Sequence, residues 1–418
     1  MSMSRMIGRS LALSFLSLAA IAGCGGSNQP AADSQGGDET AAHSGTAPPA
    51  AAIGASPQSH QSEGRPAPEK GSPEWFVLEM NVLWSQPLAT ASPTNDPEKL
   101  EAARQERNHK IIEMASGVIA RTYKDPSKES AFNEAVNFLV ESRLQLALAG
   151  DETERAALYE DATALYRRDA ASKAAAVSAY AVARYVHMNA QRFAKKEPRW
   201  LSEFAQQARL YATNFPMYQA RALQLLLSAG RSCELHGIRD EALACYAMIQ
   251  EKFPEAPQAR QAAAIIRRLN LKGQKLDLGG ETPEGGYVKI DDYQGKIVLV
   301  VFWSSDSQAF QQQLPQLTEV VQKYEKKGLS VIGISLDEDE TLVDQFVVEH
   351  PLPWTQIFSV DRAKRRWEHP VVKAYGVQDI PLYWIVDQTG TVVENQVQPE
   401  ELESRIRSLL AKKSASAQ

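Results

Sequence analysis

The sequence is poor in cysteine: only Cys24, Cys233 and Cys245 occur among its 418 residues. Three cysteines are too few for a fold that is held together by disulfides. An excess of basic residues is also missing, since the formal net charge is −6 and the isoelectric point is about 5.8. This balance excludes the electrostatic footprint of a nucleic-acid-binding protein. The composition is otherwise that of an ordinary globular protein, and the length predicts two or three domains. We predict neither a bound metal nor a cofactor.

The apolar run near the N-terminus, Leu11 to Ala22, is shorter than the roughly 20 residues that a membrane span requires. It follows Arg5 and Arg9, a pattern typical of a signal peptide over 1–23. The run ends Ile-Ala-Gly-Cys, which resembles a bacterial lipobox. That resemblance implies that a lipid on Cys24 anchors the chain to a membrane of the cell envelope, facing the periplasm or the extracellular side. The alternative is an ordinary signal peptide followed by an unmodified cysteine.

Residues 24–71 are rich in Ala, Gly, Ser, Pro and Gln and contain few large apolar residues. Such a segment cannot bury enough surface to offset the entropy lost on ordering, so we predict a disordered tether. From 72 to 270 the apolar spacing becomes helical. Ser72-Pro73 and Asp96-Pro97 have the order of an N-cap followed by a proline in the first turn. No alternating strand pattern occurs here, so this domain is predicted to be all-α.

Two stretches of the helical domain are similar, because Phe215 and Phe253 both precede a proline and lie 38 residues apart. This distance is near the period of helix-pair repeats. Between them Gly230, Ala242 and Tyr246 have a spacing that resembles the tetratricopeptide repeat (TPR). The resemblance implies TPR-like helical hairpins, which usually bind peptides or proteins. A plain helical bundle is the alternative.

Cys233 and Cys245 fall one on each helix of the predicted hairpin. Their spacing provides neither the helix N-terminus nor the close approach that lowers the pKa of a thiol. The hypotheses are a structural disulfide, two buried thiols, or a catalytic redox pair. Free cysteine is among the residue types most often buried, which favours an inert role.

Residues 271–412 alternate between apolar strands and helices, which indicates an α/β sheet, and we predict a disordered tail at 413–418. Ile297 to Trp303 is a continuous apolar run rich in β-branched residues, typical of a strand buried on both faces. Ser304 to Ser307 then offer N-cap oxygens for a helix that begins directly after this strand. A closing helix is predicted to end at Leu410.

The C-terminal domain resembles the thioredoxin fold of the TlpA/ResA-like family, a redoxin family of the AhpC/TSA type. The resemblance depends on Phe302-Trp303, Pro315 and Ile380-Pro381. It implies a multidomain chain, all-α followed by an α/β thioredoxin-like domain, with a cis bond before the last proline. It also implies that the helix opens with Cys-x-x-Cys. This chain departs from that pattern, because Ser307 and Phe310 stand at the two cysteine positions.

A third position differs as well. ResA-like members carry a glutamate for proton transfer three residues after the second cysteine, where this chain has Gln313. The Ser307 hydroxyl would need a neighbouring base to become a nucleophile. No spacing places His350 or His369 beside it, and we expect both at the surface or in loops. A serine hydrolase is disfavoured because no Gly-x-Ser-x-Gly motif surrounds Ser307. We therefore predict no catalytic residues.

The remaining function class is binding. In the family, the proline loop presents a backbone edge on which an extended segment can pair, which is recognition by strand addition. The resemblance implies that Trp303, Ser307, Ile380 and Pro381 contact a protein or peptide partner in the envelope, with Phe310 making the groove more apolar. The alternative is that this surface docks the chain's own helical domain.

The sequence therefore favours a lipid-anchored binding or scaffolding module with a redox-inactive thioredoxin-like domain. The alternative function is a thiol-disulfide oxidoreductase of the TlpA/ResA type that uses Cys233 and Cys245.

Overall fold

The computed structural model of the chain describes residues 67–88 and 96–416. The first part is helical, as predicted. Its helices are α1 Pro73–Ser85, α2 Pro97–Thr122, α3 Glu129–Leu148, α4 Glu152–Arg168, α5 Lys173–Phe193, α6 Arg199–Asn214, α7 Gln219–Leu235, α8 Arg239–Lys252 and α9 Pro257–Leu269.

Both predicted N-caps are confirmed. The Ser72 hydroxyl accepts a hydrogen bond from the Trp75 N–H at 3.2 Å, and the Asp96 carboxylate accepts one from the Glu98 N–H at 3.1 Å. A proline follows each cap, at a position where its missing N–H costs no intrahelical hydrogen bond. These caps set where α1 and α2 begin.

Successive helices pack in chain order around two apolar cores. A smaller core joins α1, α2 and the first half of α3, and a larger one extends from α3 to α9. Within the larger core α7 and α8 approach closely at Gly230, where a Cβ atom would lie 2.9 Å from the ring of Tyr246. Only a glycine leaves room for this contact. The TPR-like assignment of the whole array remains a prediction.

The second part contains a five-stranded sheet and a separate two-stranded hairpin. Its elements are β1 Gly279–Glu281, β2 Tyr287–Lys289, β3 Ile297–Trp303, α10 Gln308–Tyr324, β4 Leu329–Ser335, α11 Glu340–Glu349, β5 Thr355–Ile357, α12 Pro370–Tyr375, β6 Leu382–Val386, β7 Val392–Glu394 and α13 Pro399–Ser416. The sheet order is β5-β4-β3-β6-β7. Strands β3, β4 and β5 are parallel, whereas β6 is antiparallel to β3 and to β7.

Strand β3 lies in the middle of the sheet, and all seven of its residues are buried, as predicted. Side chains of a strand point alternately to its two faces. The odd-numbered residues of 297–303 pack with α10, α11 and α13, and the even-numbered residues pack with α12. Helices cover both faces of a mixed sheet, so the predicted fold class is confirmed: an all-α part followed by an α/β thioredoxin-like domain.

The two parts meet where α9 packs against α12. Gly376 ends α12 with a φ of 57°, and a Cβ atom there would lie 2.7 Å from the backbone nitrogen of Ile265. The Arg268 Nε donates a hydrogen bond to the carbonyl of Tyr375 at 3.2 Å. The α/β domain therefore packs against α9, the last helix of the helical part, through close backbone contact and a side-chain hydrogen bond.

Several predictions concern the ends of the chain. The signal peptide over 1–23, Cys24 and the tether up to residue 66 lie outside the described residues. Helix α13 continues to Ser416, so the tail predicted to be disordered at 413–418 is helical over its first four residues. No glycine or proline follows Leu410 to end the helix there. Among the described residues, no helix is both long enough and apolar enough to cross a membrane.

Candidate functional site

The strand-to-helix corner extends from the end of β3 into the first turn of α10. Ser304 is buried, and the half-buried Ser307 is the N-cap of α10. The Ser307 Oγ accepts a hydrogen bond from the Phe310 N–H at 3.3 Å. Ser307 thus lies at the predicted place, and its oxygen makes a helix-capping hydrogen bond.

A buried carboxylate, Asp337, holds this corner from the end of β4. It is 2% exposed and accepts hydrogen bonds from the Ser304 Oγ at 3.1 Å, the Ser305 N–H at 2.9 Å and the Ser305 Oγ at 2.5 Å. The Ser335 Oγ donates a further bond at 2.7 Å. Several donors are what a buried carboxylate needs in place of water.

Sequence reasoning missed this role of Asp337. Asp337 precedes α11 but does not cap it, because the N-cap of that helix is Asp339. The available signal was that Asp337, the first carboxylate after one buried strand, and a serine-rich turn both follow the ends of predicted strands. Only the parallel pairing of β3 with β4 brings the two segments together.

Phe310 and Trp303 belong to the core. Phe310 is 0% exposed, and its ring centroid lies 5.0 Å from that of Trp303. Trp303 is also 0% exposed, and its indole N–H donates to the Oε1 of Gln356 at 3.0 Å. Two predictions are therefore wrong: Trp303 is not a surface contact, and Phe310 does not line a groove. The alternation of β3 directs Trp303 into the core beneath α10.

Gln313 lies one turn after Phe310 and faces β6. Its Oε1 accepts a hydrogen bond from the hydroxyl of Tyr383 at 2.7 Å. Burial raises the pKa of Tyr383, so the phenol stays protonated at neutral pH. The pair makes a neutral hydrogen bond at the position where the resemblance places a proton-transferring acid.

The Ile380–Pro381 bond is cis, as predicted. Both residues are half-buried and directly precede β6. The neighbouring Asp379 forms an ion pair with Arg231 of α7. Pro381 and Gln313 line a cavity of about 220 Å³ together with residues of α7 and α9. Ser307 and Ile380 are not among the described residues that line it, so the structure does not unite all the predicted contact residues in one pocket.

A buried ion-pair network forms one wall of this cavity. Glu234 is 4% exposed and lies 2.8 Å from the Nη1 of Arg268 and 3.3 Å from the Nη1 of Arg231. It also accepts a hydrogen bond from the hydroxyl of Tyr246 at 3.3 Å. Burial of such charges is tolerated because they compensate each other and are hydrogen-bonded. No local pattern predicts this network, because its members come from three helices.

Cys233 and Cys245 lie in the helical core, and both are 0% exposed. Both are free thiols. Burial raises the pKa of Cys233 to about 12 and that of Cys245 to about 11, although Arg209 near Cys245 opposes the second shift. Both side chains are therefore neutral thiols at neutral pH, whereas the thiolate is the nucleophile in disulfide exchange.

The two histidines of the α/β domain have separate roles. His350 is exposed at the end of α11, where its ring stacks on Phe346 at 4.7 Å. His369 lies in the loop before α12, as expected, but it is 3% exposed and caps α12 by accepting from the Val371 N–H at 3.3 Å. Burial lowers the pKa of His369 to about 4. No described hydrogen bond joins either ring to Ser307.

In the part of the chain that the structure describes, no group of three or more His, Cys, Asp and Glu side chains is arranged to hold a metal ion. At the corner itself, Ser304, Ser305, Ser307, Gln313 and Asp337 provide hydroxyls, an amide and a hydrogen-bonded carboxylate. Such a set can hold the corner rigid and donate hydrogen bonds, but it contains no thiol.

Residues 271–395 match the family model described as the AhpC/TSA family. The thiol-disulfide oxidoreductase ResA of Bacillus thuringiensis subsp. konkukian (strain 97-27) is 26% identical over 148 residues, which are 34% of this chain and 81% of that protein. The C-terminal domain is TlpA/ResA-like. A second similar protein, the ResA of Bacillus anthracis, is 27% identical over 146 residues, or 33% of this chain and 80% of that one.

One of the solved structures that are similar to this chain is a putative thiol:disulfide interchange protein DsbE from Chlorobium tepidum. It is 27% identical and covers 33% of this chain and 97% of its own, with a TM-score of 0.30. These matches extend over about a third of the chain, and the family-model match lies within the TlpA/ResA-like domain. That domain has Ser307 and Phe310 at its strand-to-helix corner, and no cysteine follows Cys245 in the sequence.

Proposed function

We propose that this chain is a lipid-anchored protein of the cell envelope whose TlpA/ResA-like domain binds or scaffolds a protein partner and does not exchange disulfides. The observation that carries the proposal is the composition of the corner. Ser307 caps the helix, Phe310 fills the core, and the domain has no cysteine. The two similar ResA proteins are thiol-disulfide oxidoreductases, whereas the corresponding domain of this chain contains no cysteine.

Disulfide exchange requires three groups that this corner lacks. A thiolate must attack a disulfide sulfur, but the Ser307 hydroxyl is not ionised at neutral pH without an adjacent base. A second thiol must then resolve the mixed disulfide, and Phe310 offers none. Gln313 is hydrogen-bonded to Tyr383 and has no carboxyl proton to transfer.

The proposed partner surface is the accessible side of the corner, formed by Ser307, Ile380 and Pro381. All three residues are half-buried. Among the described backbone hydrogen bonds, none engages the Ile380 N–H. An unpaired backbone group beside a strand is what recognition by strand addition uses. The alternative occupant is the helical part itself, which the ion pair between Asp379 and Arg231 supports on one side of the loop.

Capture of partners from an envelope extract tests the binding proposal. The full chain is compared with Ile380→Asp, which places a charge on the proposed surface, and with Val360→Asp, a control at a residue of the same domain that is 52% exposed. We expect a protein that the wild type and the control retain and that Ile380→Asp loses. Identical capture by all three proteins would contradict the proposed surface, provided that circular dichroism shows each to be folded.

The lipid anchor has its own test. Mass spectrometry of the mature N-terminus is expected to find a lipid-modified Cys24. An unmodified cysteine at that position would contradict the anchor and leave the binding proposal intact.

The second candidate function is a thiol-disulfide oxidoreductase that uses Cys233 and Cys245. It is favoured by their positions on the adjacent helices α7 and α8. Burial opposes it, because a disulfide substrate must reach the sulfur. Reaction of a Cys24→Ser protein with Ellman's reagent separates the two functions. We expect Cys233 and Cys245 to react only after denaturation, and rapid reaction in the native protein would favour the enzyme.

A further inference from the structure

A second cleft, of about 740 Å³, opens in the helical part between α2, α3 and α5. Three arginines line it, Arg104 and Arg107 from α2 and Arg192 from α5, together with Gln145 and Leu148 of α3. Glu101 is the one acidic residue among its described lining residues. This cleft is separate from the corner and the proline loop of the TlpA/ResA-like domain.

The positive charge of the cleft is only partly compensated. Glu101 pairs with Arg104 at 2.7 Å. Among the described residues, no carboxylate lies within ion-pair distance of Arg107 or Arg192. By contrast, four other arginines of the helical part each pair with a glutamate: Arg143, Arg184, Arg209 and Arg268. Two uncompensated guanidinium groups thus face one cleft in a chain whose net charge is −6. Such a local reversal of sign attracts anionic groups.

The guanidinium groups are positioned but not saturated. Arg107 stacks on the ring of Trp84, with its Cζ 5.0 Å from the centroid, and its Nη2 lies 3.3 Å from the Oε1 of Gln145. Arg192 reaches the carbonyl of Leu148 at 3.4 Å. These contacts are long, and a guanidinium has more N–H donors than they use. The remaining donors suit the forked geometry of a carboxylate.

We propose that this cleft binds an acidic, extended peptide segment of a partner protein, with its carboxylates on Arg104, Arg107 and Arg192. Gln145 offers an amide to the peptide backbone, and Leu148 offers an apolar floor that a bare anion would not use. The volume lies within the range of about 300–1,000 Å³ that is typical of ligand clefts. This inference rests on the proposed binding function and specifies the chemistry of a partner.

Fluorescence anisotropy with the full chain tests the inference. The probes are a labelled glutamate-rich peptide and the same peptide with glutamine in place of glutamate. We expect the glutamate peptide to bind about tenfold more tightly than the glutamine peptide. Its affinity is expected to fall as ionic strength rises from about 0.05 M to about 0.3 M, because salt screens exposed charges.

Matched variants locate the site. Arg104→Gln/Arg192→Gln changes two exposed arginines of the cleft, and Arg199→Gln/Arg362→Gln makes the same charge change at residues whose side chains are 72% and 80% exposed elsewhere. We expect about tenfold weaker binding of the glutamate peptide by the first variant and less than about twofold change in the second.

Several results would overturn the inference: no saturable binding of the glutamate peptide, equal affinity for both peptides, or equal losses in the two variants. Inorganic pyrophosphate and vesicles of anionic lipid are titrated in parallel. If pyrophosphate or the vesicles bind, the peptide does not, and Arg104→Gln/Arg192→Gln weakens that binding, the cleft is a site for a different anion. That result would also overturn the inference. None of these results bears on capture that depends on Ile380, so the two proposals fail separately.

Discussion

At the scale of single residues, Ser307 differs from a cysteine by one atom, an oxygen in place of sulfur. Ser307 begins α10, where the helix dipole and unpaired N–H groups stabilise an anion. A hydroxyl does not ionise near neutral pH even there, whereas a thiol has a pKa close enough to neutrality to respond. The helix N-terminus at Ser307 would therefore stabilise an anion, but the serine hydroxyl stays neutral.

A cysteine at position 307 is expected to regain that response. In a Ser307→Cys variant on a Cys24→Ser background, we expect a thiol pKa about one unit below the usual value of about 8.5. The pH dependence of iodoacetamide alkylation measures it, and the buried Cys233 and Cys245 remain unreactive. Ser404→Cys, at an exposed position within α13, is the control and is expected near the usual value. A pKa at position 307 equal to that of the control would contradict the described helix terminus.

At the scale of elements, α12 is a short helix held at both ends. His369 caps its first turn through Nδ1, and Gly376 ends it in a left-handed conformation against α9. A helix of this length contributes little stability by itself. Its place therefore depends on the neutral imidazole cap and on the packing against the helical part.

Acid is expected to weaken this element. The folded pKa of His369 is about 4, below the unfolded value of roughly 6.5, so the unfolded chain takes up a proton first as the pH falls from about 6.5 towards 4. Stability contributed by the neutral ring is therefore complete above that window and is lost within it. His369→Asn keeps a capping side chain without the titration.

Urea unfolding at several pH values measures the difference between wild type and His369→Asn. We expect the variant to lose roughly 2 kcal/mol less stability than the wild type between about pH 7.5 and pH 5. Comparing the two proteins is necessary because other groups titrate in the same range. Burial raises the pKa of Asp161 to about 6, and its protonation changes stability in the opposite sense. Glu281 also raises the pKa of His369, against the effect of burial. Equal pH dependence of the two proteins would contradict the neutral cap.

Elements that depend on local pattern were predictable from the sequence. The run from Ile297 to Trp303 predicted the central strand, the Ser72-Pro73 and Asp96-Pro97 pairs predicted two helix starts, and Ser307 was placed at the helix N-terminus. Features that depend on distant partners were not predictable. The burial of Trp303 follows from the face of β3 that α10 covers, and the role of Asp337 follows from the pairing of two parallel strands.

At the scale of the whole molecule, the helical part and the TlpA/ResA-like domain share a buried electrostatic junction. Arg268 of α9 pairs with Glu234 of α7 and also donates to the carbonyl of Tyr375 in the α/β domain. Asp379 beside the proline loop adds a partly exposed ion pair with Arg231. One side of the loop that precedes β6 therefore contacts the chain's own helices, so the proposed partner surface is confined to the side of Ser307 and Ile380.

Loss of Arg268 is expected to weaken the junction. Arg268→Met removes the nearest positive partner of the buried Glu234, and breaking a buried pair from one side costs on the order of 3 kcal/mol. We expect this loss in urea unfolding, with separate transitions for the two parts where the wild type has a single one. Arg260→Met changes an exposed arginine of the same helix and is expected to cost less than about 0.5 kcal/mol. Equal stability of the two variants would show that the junction contributes nothing.

The central claim is that the TlpA/ResA-like domain performs no disulfide exchange, and reduction of insulin by dithiothreitol tests it most directly. On a Cys24→Ser background, the chain is compared with its Cys233→Ala/Cys245→Ala variant, and the ResA of Bacillus anthracis is the positive control. We expect the chain and its variant to leave the rate at the value of dithiothreitol alone, while the control raises it. A rate above that baseline that the cysteine variant loses would assign catalysis to the helical pair, and one that the variant retains would contradict the claim for the domain itself.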